Sequence, residues 1–416
     1  MLFAIVNSKL KGVGTLLKRL VHAVVRRRHP WRKMRFDELA EIYTSMSLRS
    51  FGFGIIGIFV PVYLYTSGVS LQGVFLFYTL FFAMRVPTTF VASYIVGRIG
   101  PKHTIAVSTV IIIVFLAMLL SYDAVGWPLF FLAFVFDSSN SLFFLAYNTD
   151  FSKVKDSKHG GKELGWLYVF ERIGKALGPI AGGLLAGIVA PEATLVFAIL
   201  VLMLSLVPLF LTNEPVKAHQ RVSFKGFRVR DHARDYLSVG AFNMQNVANM
   251  VFWPLLLAVF IFQDNTYTKL GTLVGITMGI SIFSAHMFGK FIDNRRGVYL
   301  LRYGVLMNVV LSASRAAITG TGGAVAVSVL GEPVILSYRM PLIKGLYDEA
   351  DGADGYRIVY LAWAEIIAGS TKFSYSFGLL IASQYFDPIS VIRVSFLVIP
   401  VIGLASLAQR FPALKT

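Results

Sequence analysis

Between residues 37 and 409 the chain repeats one pattern: a run of about 20 mostly apolar residues, then a short polar joint. Twelve such runs centre near Gly54, Met84, Ile112, Asp137, Gly178, Met203, Val251, Ser281, Val309, Pro333, Ser370 and Leu397. A helix rising about 1.5 Å per residue crosses the hydrocarbon of a bilayer in that length. No water is available there for backbone groups, so each run is expected to be a helix that bonds its own backbone. The pattern predicts an all-α membrane protein of twelve spans. Ahead of them, Val6, Leu10, Val13, Leu17, Leu20, Val21 and Val24 recur at helical spacing among Lys9, Lys11, Lys18, Arg19 and the triplet Arg26 to Arg28. That spacing predicts an amphipathic helix lying on an anionic lipid surface. A cleaved secretory signal fits poorly, because Lys9 and Lys11 interrupt the apolar run and no small-residue cleavage site follows. A transit peptide fits poorly too, the segment being unusually apolar and poor in serine.

Composition supports the membrane reading and changes how the charge is understood. Hydrophobic residues are 56% of the 416 and the mean hydropathy is +0.67, which leaves no sizeable soluble domain. The formal charge of +17 would suit nucleic acid if it were spread over a soluble surface. Instead, thirty-one of the thirty-nine Lys and Arg fall in the termini and in alternate joints, while the other joints contain only Lys269. Twelve spans with both termini in the cytoplasm satisfy the positive-inside rule at every joint, so the charge reads as topology and no nucleic-acid partner is expected. The absence of cysteine excludes disulfides and thiolate chemistry.

The longest polar connection, "NEPVKAHQRVSFKGFRVRDHARD", separates spans 1 to 6 from spans 7 to 12. The joint after span 2, "SYIVGRIGPK", and the joint after span 8, "GKFIDNRRGV", lie about 196 residues apart, as do the starts of spans 1 and 7. A repeated six-helix unit is the economical explanation. It divides the chain into a basic N-terminal segment (1–36), a first bundle (37–212), a linker (213–235), a second bundle (236–409) and a tail (410–416).

Three stretches then give the chain a family resemblance. "PVYLYTSGVSLQGVFLFYTL" has the form of a span 1 end and span 2 start, and "GKFIDNRRG" is similar to a GxxxDRxGRR joint with Gly289 and Asp293 in place, Asn294 standing where arginine is usual, and Arg295 following. "GKALGPIAGG" matches GxxxGPxxGG in span 5 at Gly174, Gly178, Pro179, Gly182 and Gly183. On these residues the chain resembles the major facilitator superfamily of secondary transporters, and in its span 5 motif the drug and proton antiporters of that superfamily. The resemblance implies two six-helix bundles related by a pseudo-two-fold axis, with spans 1, 4, 7 and 10 around a central cavity. It also implies a charge latch at the cytoplasmic joints. The first-half joint keeps Arg98, Gly100 and Lys102 but has Gly97 in place of the aspartate, which weakens any latch there. Physically, glycines four apart make a smooth stripe for close helix approach, and Pro179 favours a bend; plain helix packing explains the same residues.

A charge at mid-span costs about 2.5 to 3.5 kcal/mol on insertion scales, so each one present needs a partner or a task. Asp137 is central in span 4 and Glu332 in span 10, while Glu171 and Glu365 lie in the cytoplasmic halves of spans 5 and 11. The repeat offset pairs Asp137 with Glu332 and Glu171 with Glu365, and the resemblance places the first two opposite each other across the cavity. All four are candidates for binding a coupling proton. The alternative is permanent neutralisation by Arg49, Arg85, Arg172 or Lys175. Arg49, Arg85, Asn140, Asn243, Asn246 and Asn249 are candidates for the substrate cavity, although amides also hold helices together. The acids would suit a cationic substrate, and the arginines a carboxylate or phosphate.

No HExxH, GxSxG or GxxxxGK[ST] occurs, and "DEADGADG" lacks the spacing of a calcium loop, so neither an enzyme nor a metal site is expected. The expected activity is secondary active transport of a small molecule by alternating access, as proton-coupled export. Import of a metabolite, and a transporter-like scaffold that carries no cargo, are the alternatives. The chain is expected to act as a monomer in the plasma membrane, with no cofactor and with a proton, or else sodium, as coupling ion.

Overall fold

A computed structural model describes residues 33–56, 59–154, 160–188, 191–208, 222–263, 266–353 and 355–411. The basic segment before residue 33, part of the inter-half linker and the last five residues lie outside it, as do the side chains of Pro179 and Arg295. The described residues are helical almost throughout, with no strand among them. In chain order the main helices are α1 (Lys33–Ile56, followed by Phe59–Thr66), α2 (Leu71–Ile99), α3 (Pro101–Leu120), α4 (Leu129–Val154), α5 (Gly160–Ile188) and α6 (Pro191–Ser205). The second half repeats them as α7 (Ala233–Val247), α8 (Thr266–Phe291), α9 (Gly297–Ala317), α10 (Thr321–Gly352), α11 (Arg357–Ala382) and α12 (Pro388–Gly403). Among the described residues, nine helices are long and apolar enough to cross a membrane. The outer belt is apolar and exposed, with Val110, Phe130, Phe283 and Val310 among its residues, as a lipid-facing surface requires.

The contacts between helices carry the two-fold relation. Within the first half α1 packs on α5 and α6, α2 on α4, and α3 on α4 and α6; within the second half α7 packs on α11 and α12, α8 on α10, and α9 on α10 and α12. Adding six to each label of the first set gives the second. The two main contacts between the halves, α2 on α11 and α5 on α8, exchange with each other under the same operation.

Local chemistry sets the joints. Ser70 caps α2 by accepting from the Gly73 amide at 3.1 Å, and Asp387 caps α12 by accepting from the Ser390 amide at 2.9 Å. The predicted joint after α2 is a single residue: Gly100 takes a φ of 85°, a conformation glycine adopts without strain, and Pro101 starts α3 at once. At the corresponding place in the second half, Asp293 sits in a π-helical turn, Ile292–Arg296, that runs straight on into α9. Beyond α7 the chain continues through two more π-helical turns, Ala248–Phe252 and Leu257–Ile261, on either side of Trp253–Leu256 with its Pro254.

The span 5 glycines are contact points between α5 and α1. A Cβ on Gly174 would stand 2.3 Å from the Ser47 carbonyl oxygen, and one on Gly178 would stand 2.6 Å from that of Phe51. At Gly182 the approach relaxes to 3.1 Å from the Ile55 oxygen. α5 also nears α8 at Gly165, where a Cβ would stand 3.5 Å from the Cα of Gly289.

Two apolar clusters draw on both bundles. One, nearer the face of the bundle that carries residue 33, includes Tyr147, Phe151, Tyr338 and Tyr347; the other, toward the opposite face, includes Phe75, Tyr78, Phe252 and Tyr375. The membrane charges lie largely in the layer between them.

Candidate functional site

In that layer each acid has found a base. Asp137 is fully buried; its Oδ1 lies 2.8 Å from Arg85 Nε, and its Oδ2 accepts from Thr88 at 2.6 Å and from Ser141 at 3.1 Å. Arg85 also reaches across to the second half, where its Nη1 lies 3.5 Å from Glu365 Oε2. Glu365 Oε1 accepts from Asn148 Nδ2 at 3.2 Å, and Tyr347 donates to Asn148 Oδ1 at 2.7 Å. This chain of contacts runs α4, α2, α11 and back to α4 and α10, so both bundles share it.

A second network is its rough counterpart. Glu332 of α10 lies 3.1 Å from Arg172 of α5, again across the halves, and Arg172 also contacts the sulfur of Met278 in α8. One turn along α5, Glu171 pairs with Lys175. Nearby, the Arg339 guanidinium lies 4.9 Å from the centre of the Tyr168 ring. Arg339 lies well inside α10, which extends to Gly352.

Beside both networks lies a cavity of about 350 Å³ between the bundles, within the range of small-molecule sites. Arg85, Asn140, Asn246, Asn249 and Glu332 reach its wall, as do Lys175, Arg315 and Lys372. Asp137 does not: it lies behind Arg85, so it and Glu332 do not face each other across open space. Arg49 turns into the first bundle, donating to Thr109 at 2.9 Å with its guanidinium 3.7 Å from the Phe143 ring centre. Asn243 donates to the Val239 carbonyl one turn back, at 2.9 Å, and takes no part in the wall. The π-helical turn after α7 supplies Asn249 to the same wall as Asn246, and such turns are frequent at functional sites. Arg98, Gly100, Gly289 and Asp293 lie at or near helix ends and are not part of the cavity wall.

Arg315 was missed by sequence reading. It stands two residues before the end of α9, is 3% exposed, donates to Asn249 Oδ1, and lies 5.2 Å from the Trp253 ring centre. Thr88, Ser141 and Asn148 gave no signal, since hydroxyl and amide residues are common throughout membrane helices.

The family model of the Major Facilitator Superfamily matches residues 42–343, more than half of the chain. The chain belongs to the Major Facilitator Superfamily. Comparison with curated protein sequences returns no match. Among solved structures, the human organic anion transporter MFSD10 (TETRAN) is similar with a TM-score of 0.67 at 12% identity, covering 91% of this chain and 100% of that one. The E. coli fucose:proton symporter FucP gives 0.60 at 15% identity, with 89% and 98% covered. A bacterial homologue of the iron transporter ferroportin, in an outward-facing state, gives 0.61 at 14% identity, with 89% and 100% covered. At these identities the likeness establishes the fold. This superfamily member is thus a multi-pass membrane protein with a transporter fold rather than an enzyme, and its cavity lies between its two bundles.

Proposed function

We propose that the chain is a secondary active transporter that moves a small molecule by alternating access and exports it in exchange for protons. The observation that carries this reading is that the carboxylates of Glu332 and Glu365 pair across the two bundles, with Arg172 and Arg85, beside the cavity. Alternating access requires the bundles to part first on one side and then on the other. Protonating either acid removes half of a Coulombic tie between them, which links a proton to that movement. Asp137 sets the strength of one tie, because it competes with Glu365 for Arg85.

The glycine stripe of α5 supports the antiport direction by its match to the antiporter motif, and the backbone approach of Gly174 and Gly178 to α1 gives that helix pair a surface on which to slide. Among the similar structures are a proton symporter, an organic anion transporter and a homologue of an iron transporter, cargoes too different to choose for this chain. The proposal includes a monomer in the plasma membrane with both termini cytoplasmic, and contact of the basic N-terminal segment with anionic lipid.

Ligands stabilise by mass action, so a thermal screen of the detergent-solubilised protein against metabolites and amphiphilic drugs identifies cargo. Added to proteoliposomes under an imposed pH gradient, a compound from that screen is expected to drive proton movement. Unchanged coupled flux in both Asp137→Asn and Glu332→Gln overturns the coupling assignment.

A further inference from the structure

On the transporter reading above, we propose that the cavity takes an organic anion with an apolar or aromatic body, its acid group drawn to Arg315 and Lys372. The wall contains four basic residues, Arg85, Lys175, Arg315 and Lys372, against one acid, Glu332. Partners behind the wall reduce that imbalance without removing it. Arg85 is held by Asp137 and Glu365, and Lys175 by Glu171. Glu332 is held by Arg172, a base with no exposed surface that lies behind the wall, so the one wall carboxylate is already neutralised from outside the cavity.

Two bases remain. Arg315 donates to a neutral amide, Asn249, and lies beside the edge-to-face rings of Trp253 and Phe396 at 5.2 and 5.9 Å; its Nε is buried without a hydrogen-bond partner among the described residues. Lys372 has its ammonium 5.8 Å from the Phe82 ring centre, with no carboxylate within ion-pair distance among the described residues. A guanidinium offers planar N–H donors to a carboxylate or phosphate, and an ammonium adds a point charge. Low-dielectric walls concentrate this field inside the cavity. The rest of the wall is largely aromatic, with Tyr78, Phe81, Phe82, Phe136, Phe144 and Trp253 around it, and suits an apolar body. A cationic cargo would meet two bases that no carboxylate pairs and the one wall acid already held by Arg172. Among the described residues no three His, Asp or Glu side chains come together as a metal site.

The chain has no cysteine, which makes the field directly measurable. Single variants Phe144→Cys and Val251→Cys place a thiol on the wall, and Val125→Cys, at an exposed turn, serves as reference. Each is treated at low ionic strength with the anionic sulfonatoethyl and the cationic trimethylammonioethyl methanethiosulfonate. The anionic-to-cationic rate ratio at the wall is expected to exceed the reference by about tenfold or more. It is expected to fall toward the reference when Lys372→Met or Arg315→Gln is added; the unsubstituted charge set suffices if either fails to fold. A wall ratio equal to or below the reference, or no reaction at either wall position with either reagent, overturns the proposal. In a second arm, 4-phenylbutyrate is compared with its amide and with 4-phenylbutylamine by thermal stabilisation of the solubilised protein. Stabilisation by the acid alone supports an anion site, and equal or greater stabilisation by the amide or the amine overturns it. The transport reading fails separately: an anion-selective wall without flux of any stabilising anion in proteoliposomes sinks transport and leaves the site. Flux of a neutral or cationic compound with no anion bias does the reverse.

Discussion

Glu332 and Arg172 stand in different halves of the chain, yet their side chains meet at 3.1 Å, with Arg172 wholly buried and Glu332 12% exposed. Arg172 also touches Met278, so one guanidinium ties α5 to α8 and α10 where the bundles meet. Across the pseudo-two-fold axis Arg85 does the same for α2, α4 and α11 through Asp137 and Glu365. The two bundles are thus joined by two arginines from the first half, each holding an acid of the second.

Removing one member of such a pair leaves a buried charge alone, which costs about 3 to 5 kcal/mol, whereas removing both costs far less. Arg172→Met and Glu332→Gln are each expected to lower the unfolding temperature in detergent. The double variant should unfold closer to the original protein than the sum of the singles predicts. A strictly additive double variant would show that the pair is not coupled.

Asp137→Asn keeps the size of the side chain and an oxygen for Thr88 and Ser141, but frees Arg85 for Glu365. Substrate-driven proton movement in dye-loaded liposomes is expected to drop at least about tenfold, equivalent to about 1.4 kcal/mol. Exchange of labelled for unlabelled substrate, which needs no net proton movement, should persist. Loss of both together would mark Asp137 as a folding or binding residue instead.

Alanine at Gly174 or Gly178 would put a methyl group against the backbone of α1 at 2.3 and 2.6 Å, an obstacle that no side-chain rotation removes. Each substitution is expected to destabilise by roughly 1 to 3 kcal/mol through overpacking. Gly182→Ala, with its nearest obstacle at 3.1 Å, should cost less. Thermal unfolding of the three variants checks the order, and Gly182→Ala as the worst of them would contradict it.

Phe224, in the linker, packs its ring 5.0 Å from Phe90 of α2 and 6.2 Å from Trp363 of α11, over the seam between the bundles. Phe224→Ala removes a half-buried ring worth about 1 to 2 kcal/mol and should loosen that seam. A cysteine at the buried Ser93, one turn from Phe90, is expected to react with maleimide several times faster in the Phe224→Ala background. An unchanged rate would show that the linker does not hold the seam.

The helices, the repeat and the glycine stripe were legible because each depends on local chemistry. A bilayer requires a long apolar run that bonds its own backbone, and a Gly every fourth residue marks a smooth face wherever that face points. The linker was harder to read: Phe224 and Phe227 are apolar residues in a polar connection, and only their neighbours give them a place.

By itself the sequence determined the membrane helices, their two-fold order, the family and the set of charges that must be accommodated between the bundles. Only the tertiary structure decided the partners. A helix turns about 100° per residue, so small differences in rotation and tilt separate a side chain on the cavity wall from one behind it. Position in the repeat made Asp137 and Glu332 equivalents, but packing put Asp137 behind Arg85 and Glu332 on the wall, held by an arginine from the other half.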